Sequence, residues 1–243
     1  MNMVAGSDAV DGFGSRPHGE TFADHVTHLL ARVVYRRADS GEQREAIYRL
    51  RHNAYLREDA ISADSSGTFS DPYDETDNAY LFGVYIDDQL ASSLRLHAAS
   101  KEHPDMPSLR VFPGYLQPDL DAGKVLIDST HFVAEEQLSR LYRILPYVTL
   151  RLCVLAAEHF RADYLLAAVW KEHQPFFRRA FNFQLISKPR PYPPLAKPFS
   201  LMRVSAAEEW YRRYPFFRSS LHERRRLFEH RQTKGHLYPT KTV

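Results

Sequence analysis

Six side chains in this chain are of types that can handle charged reactants: Arg51, Asp71, Asp74, Arg95, Asp128 and His131. Carboxylates hold cations and guanidinium groups hold carboxylates or phosphates. Four acids fall within seven residues at Asp71-Pro-Tyr-Asp74-Glu75-Thr-Asp77, and from Glu58 to Leu94 there are nine acidic residues and no Lys or Arg. From Arg203 to Val243 the balance reverses, with ten Lys or Arg against four acids. One region is thus suited to a cation and the other to an acidic partner, although solvated acids and arginines are common and by themselves select no reaction.

Other chemistries lack their residues. Twelve histidines supply no HExxH and no cysteine pair. Neither Glu158-His159 nor Glu172-His173 has a second partner at ligand spacing, so no metal is expected. The glycines form no GxGxxG and no GKS/T, and the junction after Val133, AEEQLSRLYRILP, contains none, which argues against a P-loop or dinucleotide site. There is no GxSxG elbow. The single cysteine, Cys153, sits in an apolar helical run as a small core residue and suits a reducing compartment. The first twenty residues have neither a basic nor an apolar signal region, and no run approaches the roughly 18 apolar residues of a spanning helix. A cytoplasmic protein without an integral membrane segment is expected. A net charge of only +2 gives little reason to expect nucleic acid, despite the basic run LHERRRLFEHR.

The elements that must position the six residues follow from periodicity. Residues 29–36 form a first strand, and Ser40 caps a helix over GEQREAIYRLRHNAYLRE in which Arg51 and Tyr55, four apart, share a face. An acidic loop spans 60–78. Strands 79–86 and 90–97 flank a turn at Asp87-Asp88-Gln89, and alternation puts Arg95 and His97 on one face. Residues 100–124 are proline-rich and irregular. The strand KVLIDSTHFV carries Asp128, Thr130 and His131, and Pro146 opens a buried helix. A strand YLLAAVW, a short helix at FFRRAF, a strand FQLIS, a proline-rich loop at 189–198 and a strand FSLMRV complete the order. The class is α/β (α+β): a mixed twisted sheet with helices on both faces at 23–205. A disordered arm at 1–22 precedes it, and a basic helical extension at 206–243, broken near Pro215, follows.

Four stretches together resemble a known family: Arg51-His-Asn-Ala-Tyr55, Asp71-Pro-Tyr-Asp74, Leu94-Arg95-Leu96 and Ile127-Asp-Ser-Thr-His-Phe-Val133. They are similar to the successive signatures of the acyl-homoserine-lactone (autoinducer) synthases. They are closer to the related N-acyl amino acid synthases of the FeeM type, where runs such as NAYLFGVYIDxxLAxSxRLH are expected. The resemblance covers about residues 32–205, with motifs specific in combination and weak singly. It implies a GNAT-like acyltransferase fold and transfer of a fatty acyl group from a thioester to the α-amine of an amino acid. The thioester is usually on the phosphopantetheine of acyl carrier protein, with acyl-CoA as the other donor and no resident cofactor. Asp128 stands where the autoinducer synthases carry Glu, and His131 where both groups carry Arg, which exchanges a permanent charge for a titratable one.

What the resemblance implies can be put into roles. The acceptor arrives as an ammonium and needs a base, for which Asp128 is the first candidate and His131 the second. Asp71 and Asp74 hold the ammonium, Arg95 or Arg51 takes the acceptor carboxylate, and Tyr55 and Thr130 line the acceptor site. Backbone N–H groups near Phe132 and Val133 stabilise the oxyanion. Phe82, Leu152, Phe176 and Phe177 line the acyl chain's slot, and the basic C-terminal half suits the acidic carrier. Two alternatives are an acetyl-CoA-dependent GNAT N-acetyltransferase and a catalytically inactive acyl-binding or regulatory protein.

Overall fold

In the computed structural model, which describes residues 20–63, 65–205 and 209–229, local signals set most of the element boundaries. Thr21 and Asp24 form a capping box that starts α1 (Phe22–Leu30), so the first strand, β1 (Val33–Arg37), begins later than the run from 29 suggests. Ser40 and Gln43 form a second capping box at the start of α2 (Gly41–Arg57), as expected. The acidic loop contains a 3-10 turn at Pro72–Glu75. The hairpin follows as β2 (Ala79–Ile86) and β3 (Gln89–Ala99). Its turn is two residues long: Ile86 already pairs with Gln89, and Asp87 and Asp88 both have positive φ, +47° and +63°. Aspartate is among the few non-glycine residues that accept this conformation.

The stretch read as irregular over 100–124 holds two short helices, α3 (Pro107–Val111) and α4 (Pro113–Asp121). Each has its proline in the first turn, where the missing N–H costs nothing. Then come β4 (Leu126–Ala134), α5 (Glu136–Leu141), α6 (Leu145–Phe160), β5 (Tyr164–Val169) and α7 (Gln174–Phe181). The short β6 (Gln184–Leu185) and β7 (Arg190–Tyr192) precede the long β8 (Leu195–Ser205). The chain continues as α8 (Glu209–Arg213), a 3-10 turn at Pro215–Phe217, and α9 (Leu221–Phe228).

The sheet runs β1-β2-β3-β4-β5-β8-β6, with β7 against β8. It is antiparallel throughout except at β4–β5, which pair in parallel. The helices divide between its faces, with α6 packing on β3 and β4 beside α1 and α9, α2 contacting the same two strands and α3 contacting β4 and β7. Two large apolar clusters result, one around Leu152, Leu155 and Phe217 and the other around Met106, Phe112 and Leu126, with a small third of Ala38, Ile47 and Leu81. No helix among the described residues is long and apolar enough to cross a membrane.

Of the arm expected over 1–22, residues 1–19 lie outside the described residues, as do 230–243 of the C-terminal extension. The described part of that extension packs into the first apolar cluster through Trp210, Tyr214, Phe217 and Phe228. One buried arginine ties it down: Arg151 donates through Nε to the Phe216 carbonyl (2.8 Å), through Nη2 to that of Arg218 (2.9 Å), and bidentately to Glu223 (2.6 and 3.0 Å).

Candidate functional site

The alternation of β3 puts Arg95 and His97 on the face beneath α2, and β4 brings Thr130 opposite Arg95 and Asp128 opposite His97. Above them the acidic loop is folded tightly. Asp71 caps the 3-10 turn by accepting from Tyr73 N (2.9 Å), and Asp74 Oδ2 accepts from Asp71 N (3.0 Å). This reciprocal cap aims both carboxylates at the sheet. Arg95 meets Asp71 through Nη1 (2.6 Å) and Nη2 (3.1 Å), and lies 3.0 Å from Asp74; its Nε donates to Thr130 Oγ1 (3.1 Å). From α2, Arg51 Nη1 reaches both oxygens of Asp74 (2.9 and 2.8 Å). Both arginines have 0% of their surface exposed.

These groups form a closed ionic network of two cations and two anions, so charges that would be very costly to bury singly are mutually compensated. Burial alone would raise both carboxylates' pKa values. For Asp71, hydrogen bonds from His131 and Arg95 outweigh it and hold the carboxyl well below the usual range, and for Asp74 the charges of Arg51 and Arg95 do, lowering its pKa. Arg95 is occupied within the network, whereas Arg51 is paired through Nη1 alone, its Nε and Nη2 making no hydrogen bond; neither arginine lines the cavity beside the network. The acid loop, expected to hold an ammonium, instead holds the protein's own guanidinium groups.

His131 is brought into the network by an irregularity in β4. Between the pairs Arg95↔Thr130 and Ser93↔Val133, β3 contributes only Leu94 whereas β4 contributes His131 and Phe132. That extra residue is a β-bulge, which breaks the alternation of side chains. His131 takes it up with φ +51°. As a result both Thr130 and His131 reach groups on the α2 face. The His131 ring bridges Asp71 Oδ2 at Nε2 (2.8 Å) and the Tyr55 hydroxyl at Nδ1 (2.7 Å). Burial, then the nearby Arg95 and Arg51 charges, push its pKa down to about 3, so the ring is neutral. The ionised Asp71 requires the proton on Nε2, and Nδ1 therefore accepts from Tyr55 O–H.

A cavity of about 340 Å³ opens beside this end of the network. Its cause is the parallel pair β4–β5. Pairing stops at Ser129↔Ala167, yet β4 runs on to Ala134 and β5 to Val169. The strands diverge, and the cavity is lined by residues 129–134 of one and 167–170 of the other. Tyr55, Thr130 and His131 form its polar end; Leu150, Phe176 and Phe177 give an apolar one from α6 and α7. Of the residues expected at a site, Tyr55, Thr130, His131, Phe132, Val133, Phe176 and Phe177 are brought together here. Sequence reasoning missed Trp170, Phe199 and Leu150, which also line it. The tryptophan ending strand YLLAAVW was the one visible signal, since nothing local marks where two strands part.

Three expected members lie elsewhere. Phe82 is fully buried in the core with its ring 5.6 Å from that of Phe228, and Leu152 is fully buried on α6; neither lines the cavity, because their strand and helix positions point into the packed cluster. Asp128, the first candidate base, accepts from Ser108 N (3.0 Å) and Ser108 Oγ (2.8 Å) at the start of α3 and is fully buried away from the cavity lining. It holds α3 against the sheet. Its burial raises its pKa to about 6, with Ser108 partly opposing.

Folding thus favours Asp128's protonated form, a contribution fully present below the unfolded pKa near 3.9 and lost as pH rises through about 6. Asp128→Asn is expected to abolish that part of the pH dependence. Between pH 4 and 8 the variant should lose less stability than the parent protein, by on the order of 2–3 kcal/mol, in denaturant titrations. Its turnover should stay within severalfold; a collapse of turnover would return Asp128 to the chemistry.

The family model for the N-acyl amino acid synthase FeeM matches residues 46–205. The fold is similar to that of the structure of FeeM, an N-acyl amino acid synthase from uncultured soil microbes, with TM-score 0.60 at 18% identity, covering 73% of this chain and 92% of that one. It is also similar to TofI in complex with an inhibitor and MTA (TM-score 0.57, 13% identity, 76% and 96% covered). The AHL synthase LasI aligns with TM-score 0.53 at 13% identity over 72% and 90%. No curated protein matches the sequence. At such identities the structures establish a shared GNAT-like fold, while the family model spans most of the chain and takes in every residue of the buried ionic network: the chain belongs to the FeeM family of N-acyl amino acid synthases and is an acyltransferase.

Proposed function

We propose that this acyltransferase moves a long-chain fatty acyl group from the phosphopantetheine thioester of acyl carrier protein to the α-amine of an amino acid, in the cytoplasm. The observation that carries this reading is the cavity between the diverging strands, polar at Tyr55 and His131 and apolar at Leu150, Phe176 and Phe177. Its volume is at the lower end of the roughly 300–1,000 Å³ typical of ligand sites, enough for a chain but far more than an acetyl group needs.

The amine attacks the thioester carbon, a C–N bond forms, the carbonyl oxygen becomes an oxyanion, and collapse breaks the C–S bond. Beyond Ser129, β4 has no pairing with β5, so the edge of β4 around Phe132 and Val133 offers polar backbone groups to the oxyanion. No covalent enzyme intermediate is needed. Cys153 is buried, its thiol pushed up to about 12 by burial, and it does not line the cavity. The carrier is favoured over coenzyme A by the junction after β4. There the Glu135 carboxylate accepts from Leu138 N (2.7 Å) and Glu136 occupies the first turn of α5, which repels a pyrophosphate from the helix start where one would bind.

The test is to incubate the folded protein with long-chain acyl carrier protein, and separately with acyl-CoA, in the presence of all twenty amino acids, and to search for N-acyl products by mass spectrometry. N-acyl amino acid formed faster from the carrier is expected. No product at any chain length from either donor would overturn the reading.

A further inference from the structure

Resting on the reading of the reaction as acyl transfer to an amine, we propose that Tyr55, His131 and Asp71 form a proton relay, with the Tyr55 hydroxyl as the group that takes the acceptor's proton. Three observations carry it. The first is connectivity: Tyr55 lines the cavity, its hydroxyl is 2.7 Å from His131 Nδ1, and His131 Nε2 is 2.8 Å from Asp71 Oδ2. The second is preorganisation. Asp71 is fixed by the bidentate Arg95 and by its own cap on Tyr73 N, and the rings of Tyr55, Phe69 and His131 pack edge to face at 5.1 to 5.8 Å. The third is the strained backbone of His131, a non-glycine residue at φ +51° in the bulge, a conformation that persists only when its surroundings impose it.

Three other titratable groups near the relay are engaged away from the cavity. Asp128 faces Ser108, His97 donates from Nε2 to the Tyr73 carbonyl (3.0 Å), and Asp74 is held between Arg51 and Arg95. Arg57 and Glu58, at the end of α2, and His173, just before α7, also line the cavity; Arg57 lies 3.9 Å from Glu136, and the His173 ring stacks on Trp170 at 5.6 Å.

The acceptor's ammonium loses its first proton to solvent before attack, and from the neutral amine onward the proton balance closes without a further reagent. Attack by the neutral amine on the thioester carbon gives an adduct with a positive nitrogen and a negative oxygen. The nitrogen passes a proton to Tyr55 Oη while the Tyr55 hydroxyl proton moves to His131 Nδ1. The resulting imidazolium donates from Nε2 to ionised Asp71. When the C–S bond breaks, the departing thiolate recovers a proton from Tyr55, which takes back the one on Nδ1. An ammonium attached to a tetrahedral carbon bearing oxygen and sulfur is much more acidic than a free one, so a weakly basic imidazole suffices.

The test uses the full-length protein. Tyr55→Phe keeps the ring packing and removes only the hydroxyl; His131→Gln removes the imidazole. Each is expected to lower kcat on the order of 10²-fold with KM for the acyl donor little changed, and the double variant to be no worse than either single, since the residues act as a unit. In imidazole ¹⁵N NMR of the unliganded protein, His131 should carry its proton on Nε2, with an Nδ1 signal that shifts in the Y55F variant. Near-normal kcat in Y55F, additive losses in the double variant, or a proton on Nδ1 in the parent protein would each overturn the relay. If the parent protein makes no N-acyl product, the reading of the reaction fails and takes the relay with it, whereas product from the parent with near-normal kcat in Y55F overturns the relay alone.

Discussion

Replacing Arg95 with methionine is expected to remove about 3–5 kcal/mol of stability and all measurable turnover. The side chain is fully buried between Asp71 and Asp74, and methionine fills much of its volume while supplying no charge. Two acids would then remain beneath α2 with only Arg51 to compensate them, and Asp71 would lose the clamp that orients it toward His131. The acid sensitivity of the protein should change with it. Asp71 and Asp74 both have pKa values lowered on folding, so they contribute stability that is present above the unfolded value near 3.9 and lost as pH falls below it. In R95M that acid-side loss should shrink, because Arg95's share of the lowering is removed while His131 still acts on Asp71 and Arg51 on Asp74. Urea unfolding at several pH values checks both statements. A variant as stable and as acid-sensitive as the parent protein would show that the network is not what holds the loop to the sheet.

Leu150→Trp is expected to cut kcat/KM for long-chain donors on the order of 200-fold while sparing short ones. Leu150 contributes to the apolar end of the cavity, and a tryptophan there occupies space that the distal part of the chain would fill. Each buried methylene contributes about 0.8 kcal/mol, so excluding four costs about 3 kcal/mol, or about two hundredfold. The same substitution can overpack the core by about 1–3 kcal/mol, and for that reason the short-chain donor is the internal control. Rates measured across a series of chain lengths should show the optimum shifted to shorter chains. An unchanged profile would mean that the chain does not run toward α6 and α7.

The parts of this design legible in the sequence were those governed by short-range rules. The Ser40 cap, the hairpin, and the placement of Arg95 and His97 on one side of β3 follow from capping chemistry and a period of two. The six ionisable residues were also recognisable, yet their surroundings were not. Arg95 was expected as an anchor for the acceptor carboxylate and is instead internal to the network; Asp128 was expected as the base and instead holds α3. A sequence shows that a carboxylate is present on a strand, but which neighbour satisfies it depends on what packs there, and Ser108 comes from a stretch whose proline-opened helices were read as loop.

The sequence by itself determined the family, the sheet with helices on both faces, and the set of residues that carry charge into the interior. Only the tertiary structure decided how that charge is used. The bulge that turns His131 toward Tyr55 and Asp71 arises from the register between β3 and β4, and the cavity arises where β4 and β5 stop pairing. Both are relations between strands distant in the chain, and no local propensity encodes them.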